Sequence, residues 1–510
     1  MRNHRFILFA LCLLLICPLL AGCGQTQPPS EAPVSTAKVT SAPAAEQTGE
    51  EAPAPEAEAD AAEADPPAEP TPEPTPEPTP EPTPKPIRLS AGEFPRDLEK
   101  LTAVVTPEDL PLLEGFPALR SADFRGSSCQ KELVDWALAH PEVSVRCEIR
   151  LSDGREVPAN TRRLELPDSS PGEDLLALVL LPDLKTVELG SCEDAAESEM
   201  DWQALARAEA ACPRTEFHYA FTLYRKSFDL QSTEMDLNHI KMEDEGALVK
   251  QVAACLPDLE LLDMDFCRVS NEAMAEIRDS LPNTEVVWRI WFGDNPVSGY
   301  SVRTNVTRIL ASNPGIGGEL TPENTQTLKY CTKVKYLDLG HNDQMTDISF
   351  VSYMPDLEVA VLALGGFSDL RPLADCPKLE YLEIQTSAAS DLRPLSGLKN
   401  LRHLNIGYIF SLTDITPLYE LTDLERLWIG CYDPVPKDQI EEMQRRAPNC
   451  EINTITADPT EWGWRYIGYD EFGYGVAHPR YALLREQFDY GSAPWCYSYI
   501  DNDPLYYPHG

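Results

Sequence analysis

The sequence predicts an α/β fold, in which short repeats stack into a curved solenoid after a disordered N-terminal stalk. Two observations predict the repeats. A seven-residue pattern that ends in Leu-x-Leu or Leu-x-Ile recurs between residues 333 and 450, and a second pattern, Asp-Leu-Arg-Pro or a close variant, lies between its copies. We place the central leucines of the first pattern at positions 337, 362, 382, 404 and 427, which are 20 to 25 residues apart. That interval suits one strand with its return loop.

The strand of each repeat follows from its alternating pattern. Leu-x-Leu places two apolar side chains on the same side of a short strand, where a single repeat cannot bury them. The copies must therefore stack, so that their strands form a parallel sheet over a continuous core. We expect this sheet on the concave face of the solenoid, with helices and loops on the convex face.

These repeats resemble those of a known family. The Leu-x-Leu strands and the Asp-Ile/Leu-x-Pro loops of residues 334–455 are similar to leucine-rich repeats, in particular to the 22-residue internalin type. The resemblance implies the solenoid fold and a partner that binds on the concave face. It does not indicate which partner.

Residues 87–333 carry a longer repeat, which resembles the leucine-rich class with helical outer faces. Strand starts recur at positions 119, 184, 259 and 334, and each interval of 65 to 75 residues has room for two repeats. Within each unit the sequence predicts an amphipathic helix, then a strand-rich stretch and a hairpin-like loop. The predicted helices are Lys131–Ala139, Trp202–Ala211 and Asn271–Ser280.

The N-terminus has the pattern of an export signal. Residues 1–22 combine a basic start with an apolar run, and Leu20-Ala-Gly-Cys23 resembles the bacterial lipoprotein box. The resemblance implies lipidation of Cys23 and an anchor in the cell membrane, on its extracytoplasmic face. The alternative is an ordinary cleaved secretion signal. Residues 23–86 are rich in Pro, Glu, Ala and Thr, which predicts a disordered stalk.

Charge and cysteine positions narrow the possible partners and cross-links. The chain has 83 acidic and 42 basic residues, a net charge of −41, and we expect no nucleic-acid partner because such a chain repels phosphates. We interpret the cysteines that recur in the repeats as buried, reduced thiols of the core. The alternative is one or more disulfides. The recurring positions are Cys192, Cys212, Cys255, Cys267 and Cys376.

The C-terminal segment, residues 456–510, contains 14 aromatic residues. We predict that these rings form a cap over the exposed core edge of the last repeat, because a solenoid must cover that edge. The alternative is a surface that binds sugars or peptides, since exposed rings anchor interfaces.

No catalytic motif is evident in the sequence. We find no nucleophile elbow, zinc-protease motif, phosphate loop or dinucleotide fingerprint, and we predict a protein without enzymatic activity, cofactor or metal. The acidic loop 342–347 lacks the ligand spacing of a calcium-binding EF-hand. An enzyme with its site in the C-terminal segment is the weakest hypothesis, because no pattern of residues supports it.

The repeats predict a recognition surface. Residues that flank the inward leucines point to the concave side, and aromatic, arginine and amide side chains there favour a protein or glycan ligand. Two alternatives remain: a solvated face that binds nothing, and a structural or scaffolding protein of the cell envelope that uses other surfaces. The predicted ligand-binding residues are Tyr336, Asp338, Tyr381, Glu383, His403, Asn405, Arg426 and Trp428, with Val361 and Ala363 beside Leu362.

Overall fold

The computed structural model describes residues 85–293, 300–312, 319–430, 434–454, 463–472, 474–488 and 499–500. The signal peptide, the lipidation site Cys23 and the stalk up to residue 84 lie outside the described residues. Within the described ranges, no helix has the length and apolar character that crossing a membrane requires.

The first part of the chain consists of short strands with helices between them. The helices are α1 (Gln130–Ala139), α2 (Gly172–Ala177), α3 (Trp202–Ala211), α4 (Ala247–Ala253) and α5 (Asn271–Ser280). The strands are β1 (Ile87–Leu89), β2 (Gly92–Phe94), β3 (Lys100–Thr102), β4 (Ser121–Asp123), β5 (Ser144–Arg146), β6 (Ile149–Arg150), β7 (Glu156–Val157), β8 (Arg163–Glu165), β9 (Thr186–Cys192), β10 (Glu216–Leu223), β11 (Lys226–Asp229), β12 (Glu234–Asp236), β13 (Leu261–Asp263), β14 (Glu285–Val287), β15 (Arg289–Phe292) and β16 (Tyr300–Arg303).

Parallel pairing dominates this part. The strands pair in the orders β3-β4-β5, β8-β9-β10 and β12-β13-β14, and antiparallel hairpins β6-β7, β10-β11 and β15-β16 follow them where the sequence predicted hairpin-like loops. The predicted helices Trp202–Ala211 and Asn271–Ser280 are confirmed. The first predicted helix begins one residue earlier than expected, at Gln130.

The second part contains the long sheet. The strands of this second part are β17 (Arg308–Leu310), β18 (Tyr336–Asp338), β19 (Val359–Val361), β20 (Tyr381–Glu383), β21 (His403–Asn405), β22 (Arg426–Trp428), β23 (Glu451–Asn453), β24 (Tyr466–Tyr469), β25 (Gly475–Ala477) and β26 (Tyr499–Ile500). Its helices are α6 (Pro322–Thr325), α7 (Lys437–Arg446) and α8 (Pro479–Gln487).

Strands β17 to β23 pair in chain order as one parallel sheet, and β26 pairs antiparallel with β17 at its edge. The mixed helix and strand content with parallel sheets agrees with the predicted α/β class. The sheet runs across residues 333 and 334, where the sequence suggested a domain boundary. That boundary and the curvature of the solenoid stay predictions.

The strand register corrects one repeat. Ala360, rather than Leu362, pairs with the central leucines of the neighbouring strands, Leu337 and Leu382. The central residues are thus 337, 360, 382, 404 and 427, at intervals of 22 or 23, because alanine replaces the expected leucine in this copy. Val359 and Val361 therefore flank the core position, and Ala363 lies beyond the strand.

Four successive repeats of the long sheet turn at the same place after their strands. In each of them, a residue with a left-handed backbone conformation stands two positions after the last leucine or isoleucine of the seven-residue pattern. These residues are His341, Leu364, Thr386 and Tyr408. The position that follows the left-handed residue, which we call the Asn or Cys slot, holds Asn342 in the first of these repeats and Cys267 in the first part of the chain. Asn342 Nδ2 donates to three backbone carbonyls, and Cys267 Sγ contacts the Leu237 carbonyl in the same slot of the first part. These contacts satisfy carbonyls that the turn would otherwise bury without partners.

The second sequence pattern forms the side of the repeats that lies opposite the sheet. Its copies become short 3-10 helices, and the leucine after each proline is buried at Leu373, Leu395 and Leu418. A carboxylate before each turn accepts the backbone N–H two residues later, as Asp391 does from Arg393 at 3.0 Å. These short helices thus close the leucine core on the side opposite the sheet.

Candidate functional site

The predicted ligand-binding residues share one face of the long sheet, which we call the stripe face. Tyr381, His403 and Arg426 align across strands β20 to β22, and Glu383, Asn405 and Trp428 form the next row. This face is not open to solvent. Seven of the eight residues are buried, and Tyr336 is partly buried. Their role in ligand binding stays a prediction.

The stripe face is covered by a later piece of the same chain, residues 463–472 and 474–488, which we call the return segment. It contains the hairpin β24-β25 and helix α8. Its buried side chains form a second hydrophobic cluster against the sheet, which consists of Leu310, Val359, Val361, Tyr381, Trp428, Trp464, Leu484 and Phe488.

The return segment does not form the predicted C-terminal cap, and six of the 14 aromatic residues of that prediction lie outside the described residues. The described aromatic residues that are buried, Trp464 and Phe488, lie on the stripe face and not on the edge of the last repeat. Strand β26 covers the edge at β17, which is the opposite end of the sheet from β23. The hairpin tip leaves Phe472 and Tyr474 more than 70% exposed, so the alternative of a binding surface remains open there.

Trp464 is the centre of the contact between the return segment and the sheet. Its indole is fully buried, with ring centroids 5.4 Å from Tyr381 and 5.3 Å from Trp428. Its Nε1 donates a 2.8 Å hydrogen bond to Glu383 Oε1. One side chain thus combines aromatic packing with a satisfied polar atom, which is how buried tryptophan is usually held.

Glu383 is a buried carboxylate with a complete set of partners. Arg465 Nη2 lies 2.8 Å from its Oε2, Gln385 Nε2 donates to the same oxygen at 3.0 Å, and the Tyr381 hydroxyl donates to Oε1. Burial alone would raise the pKa of Glu383, but the Arg465 charge and these hydrogen bonds hold that pKa below its ordinary value. The carboxylate is therefore ionised at neutral pH and attracts a cation to this face.

Arg426 holds the start of the return segment. Its guanidinium lies 4.8 Å from the Trp428 ring centroid and 4.6 Å from that of Trp464, and it donates to the carbonyls of Gly463 and Trp464. Gly463 has φ +80°, and a Cβ there would lie 2.8 Å from the Trp428 ring. Only glycine allows this close approach.

His403 lies beside this cluster without a full set of hydrogen bonds. Its ring is 5.8 Å from that of Tyr381, and its Nδ1 is buried without a hydrogen-bond partner among the described residues. Burial, together with the positive charges of Arg480 and Arg426, lowers the pKa of His403 to about 3. The imidazole is therefore neutral at physiological pH.

Two of the predicted residues bind their own loops. Asp338 Oδ1 accepts the backbone N–H of Gly340, and Asn405 Oδ1 accepts that of Gly407. The same contact recurs in the first part of the chain, where Asp263 accepts from Asp265. These side chains shape the turn after each strand.

The sequence did not reveal the partners of the stripe face. Trp464 and Arg465 stood only in an aromatic-rich segment, and Gln385 lies just after its strand. The available signals were the density of aromatic residues after position 456 and the Trp-Arg pair within that stretch of a strongly acidic chain. Among the described residues, no three His, Cys, Asp or Glu side chains group closely enough to hold a metal ion.

No family model matches the sequence, and no curated protein matches it. Solved structures of leucine-rich repeat proteins are similar to it. A leucine-rich repeat protein of Leptospira interrogans is 14% identical, with a TM-score of 0.28 over 69% of this chain and 99% of that chain. Internalin C2 of Listeria monocytogenes is 19% identical, with a TM-score of 0.25 over 44% of this chain and 80% of that chain.

Internalin F of the same species is 17% identical, with a TM-score of 0.22 over 70% of this chain and 86% of that chain. The leucine-rich repeats of the present chain are defined by its own strand pattern, strand register and recurring Asn or Cys slot.

Proposed function

We propose that this chain is a lipid-anchored protein of the bacterial cell surface, held through Cys23 on the extracytoplasmic side of the membrane. Its leucine-rich repeat solenoid binds a protein partner through the stripe face and acts in adhesion or recognition. It works by binding alone, without catalysis or a cofactor. The return segment occupies the stripe face until the partner displaces it.

One observation supports this proposal above the others. The stripe face holds the pair Trp464 and Arg465, which stand more than 80 residues away in the chain, through an aromatic pocket and a buried carboxylate. A face with these contacts suits an extended polypeptide that carries an aromatic residue next to a cation. We therefore assign that chemistry to the partner, and the return segment takes its place in the absence of a partner.

The acidic character of the chain favours the same class of partner. A net charge of −41 attracts cationic proteins at long range and accelerates their encounter with the surface. The stripe face then selects among them through Glu383, the buried acid at its centre. Attraction and selection thus come from different parts of the molecule.

A binding experiment with a defined peptide tests this proposal. The probe is a fluorescent peptide with the sequence of residues 463–472, and the proteins are the full chain in detergent and its W464A/R465A variant, whose stripe face is vacated. We expect the vacated variant to bind the peptide about tenfold more tightly than the wild type, because its own segment no longer competes. Fluorescence anisotropy measures both affinities.

Two controls identify the face. Adding E383Q to the vacated variant should weaken binding by about tenfold, because the peptide arginine loses its charged partner. A peptide with glutamate in place of that arginine should bind the vacated variant no more tightly than the unchanged peptide binds this triple variant. Equal affinities of wild type and vacated variant, or no binding to either, would refute the proposal.

A second candidate function is a structural or scaffolding role in the cell envelope. It is favoured by the exposed apolar and aromatic side chains on strand β24 and the tip of the β24-β25 hairpin, Ile467, Tyr469, Phe472 and Tyr474. For this role, F472A/Y474A should abolish association with envelope components in a pull-down with the full chain. The vacated variant W464A/R465A should leave that association unchanged.

A further inference from the structure

A cavity lies outside the stripe face, where strands β12 and β13 end and helix α5 begins. Its volume is about 560 Å³, a size that suits a small ligand of two or three sugar rings. Six of its lining side chains are exposed to solvent, so the cavity is accessible. They are His239, Lys241, Phe266, Arg268, Ser270 and Trp291.

The charge of this cavity is opposite to that of the chain. Of the described residues that line it, none is acidic, although the chain has 83 acidic residues. Three other surface cavities each have at least one acidic side chain in their lining, among them Glu285, Glu142 and Glu245. This cavity is therefore a local site for an anion on an acidic protein.

Two of its cations have no ion-pair partner among the described residues. Arg289 is different, because its guanidinium is buried and forms a two-pronged pair with Asp265, at 3.1 Å and 2.9 Å. Lys241 and Arg268 are exposed, and the structure gives neither an acidic partner. Their charges are therefore available to a ligand carboxylate.

Aromatic faces complete the cavity. The Phe266 ring stacks on His239 at 4.9 Å between ring centroids, and the paired guanidinium of Arg289 lies 4.8 Å from the same ring. Phe266 remains 38% exposed and Trp291 57% exposed. Because His239 and Arg289 already lie against the Phe266 ring, the ring face available to a ligand is that of Trp291, and a flat apolar face of this kind suits the C–H side of a sugar ring.

The floor of the cavity is already fixed by internal hydrogen bonds. Trp288 Nε1 donates to Asn271 Oδ1 at 3.0 Å, and the Ser270 hydroxyl accepts the Ala273 N–H at the start of α5. The backbone of both Phe266 and Arg268 is left-handed, with φ of 57° and 59°. The loop that carries them is thus held in a shape that brings the phenyl ring and the guanidinium to one cavity.

From these features we infer that the cavity binds an acidic sugar, a hexuronic acid at or near the end of a glycan. Lys241 and Arg268 pair with its carboxylate, and the Trp291 ring packs against one face of its sugar ring. An acidic peptide would use the same cations, but its extended backbone would leave the Trp291 face unused. This site is independent of the stripe face, and its failure would leave the proposed protein partner untouched.

The test is isothermal titration calorimetry of the full chain in detergent with trigalacturonate as probe. We expect saturable binding that is about tenfold tighter than that of the neutral galactose trisaccharide. K241Q/R268Q and W291A should each weaken binding by about tenfold, because one removes both cations and the other a stacking face. W291F should restore most of the affinity lost in W291A, because it keeps a ring.

The matched control is R393Q/K437Q, which changes the net charge equally at two exposed sites outside the cavity. This variant should bind trigalacturonate like the wild type. Circular dichroism of every variant checks that it is folded. Three results would overturn the inference: no binding by the wild type at about 10 mM probe, equal binding of the neutral trisaccharide, or a triglutamate peptide that binds as well as trigalacturonate. Unchanged binding by both cavity variants would also overturn it.

Discussion

The carboxylate of Glu383 and the guanidinium of Arg465 meet at 2.8 Å, although 82 residues separate them in the chain. Glu383 is 1% exposed, and its Arg465 partner is 26% exposed at the side chain. This pair joins the sheet of the leucine-rich repeats to the segment that covers it. The strength of this contact decides whether the stripe face is permanently buried or can open to a partner.

Replacing Glu383 by glutamine should loosen the return segment without unfolding the repeats. Arg465 and Trp464 would lose a charged hydrogen-bond partner, and we expect a cost of about 2 kcal/mol to the closed state. Hydrogen exchange in residues 463–488 should therefore become about 30-fold faster, while strands β20 to β22 keep their protection.

The control for this prediction is D391N, which breaks the exposed pair of Asp391 with Arg393. Because exposed pairs contribute little to stability, we expect no change in the exchange of the return segment. If D391N accelerated that exchange as strongly as E383Q, the assigned role of Glu383 would be wrong.

Truncation of a central leucine should destabilise the repeats themselves. Leu404 is fully buried in the core beneath β21, and L404A should lower the free energy of unfolding by about 3 kcal/mol, since it leaves a cavity. Urea denaturation followed by circular dichroism measures the loss. The same substitution at Leu112, which is 44% exposed, should cost less than about 1 kcal/mol.

Lowering the pH should decrease the free energy of unfolding because of His403. The folded-state pKa of about 3 lies below the ordinary value of 6.5. The unfolded chain therefore binds a proton that the folded chain does not, and stability falls as the pH drops from about 6.5 toward 3. Between pH 7 and pH 5 the expected loss from this group is about 2 kcal/mol.

The variant H403Q should remove this part of the pH dependence, measured as the difference between urea midpoints at pH 7 and pH 5. The lowered pKa of Glu383 keeps its carboxylate ionised in the folded protein at both pH values. The matched control is H218Q, at a histidine that is 42% exposed on β10. The assignment fails if H218Q and H403Q change the pH dependence equally.

The described cysteines should resist alkylation in the native protein. All nine are unpaired and seven are buried, and burial raises the pKa of Cys147 to about 11 and that of Cys376 to about 12. At pH 8 only about 0.1% of a thiol with a pKa of 11 is ionised, so iodoacetamide should modify Cys192, which is partly exposed, before these two. Peptide mass spectrometry of the alkylated protein checks the order, and disulfide-linked peptides would support the alternative.

The sequence predicted the repeats well, because the periodic leucines determine both strand and core. Leu337, Leu382, Leu404 and Leu427 occupy the expected core positions. The copy of the seven-residue pattern at β19 was predicted two residues too late. Leu362 matches the pattern as well as Ala360 does when strand pairing is unknown, and only the register with Leu337 and Leu382 distinguishes them.

The candidate site was predicted only in part. Alternation along a strand places Tyr381, Glu383 and Arg426 on the same face, and the structure shows that arrangement. Alternation cannot show what lies above the face. The contact with Trp464 and Arg465 joins segments more than 80 residues apart, and no local pattern encodes it.

Native-state hydrogen exchange of the wild-type protein, resolved by mass spectrometry, tests the central claim most directly. If the return segment is a displaceable occupant, residues 463–488 should exchange through a local opening of lower free energy than the one that exposes β20, β21 and β22. A difference of at least about 2 kcal/mol, about 30-fold in rate, is the predicted result. If the segment and these strands exchange at the same protected rate, then the return segment is part of the permanent core, and the stripe face is not a binding site.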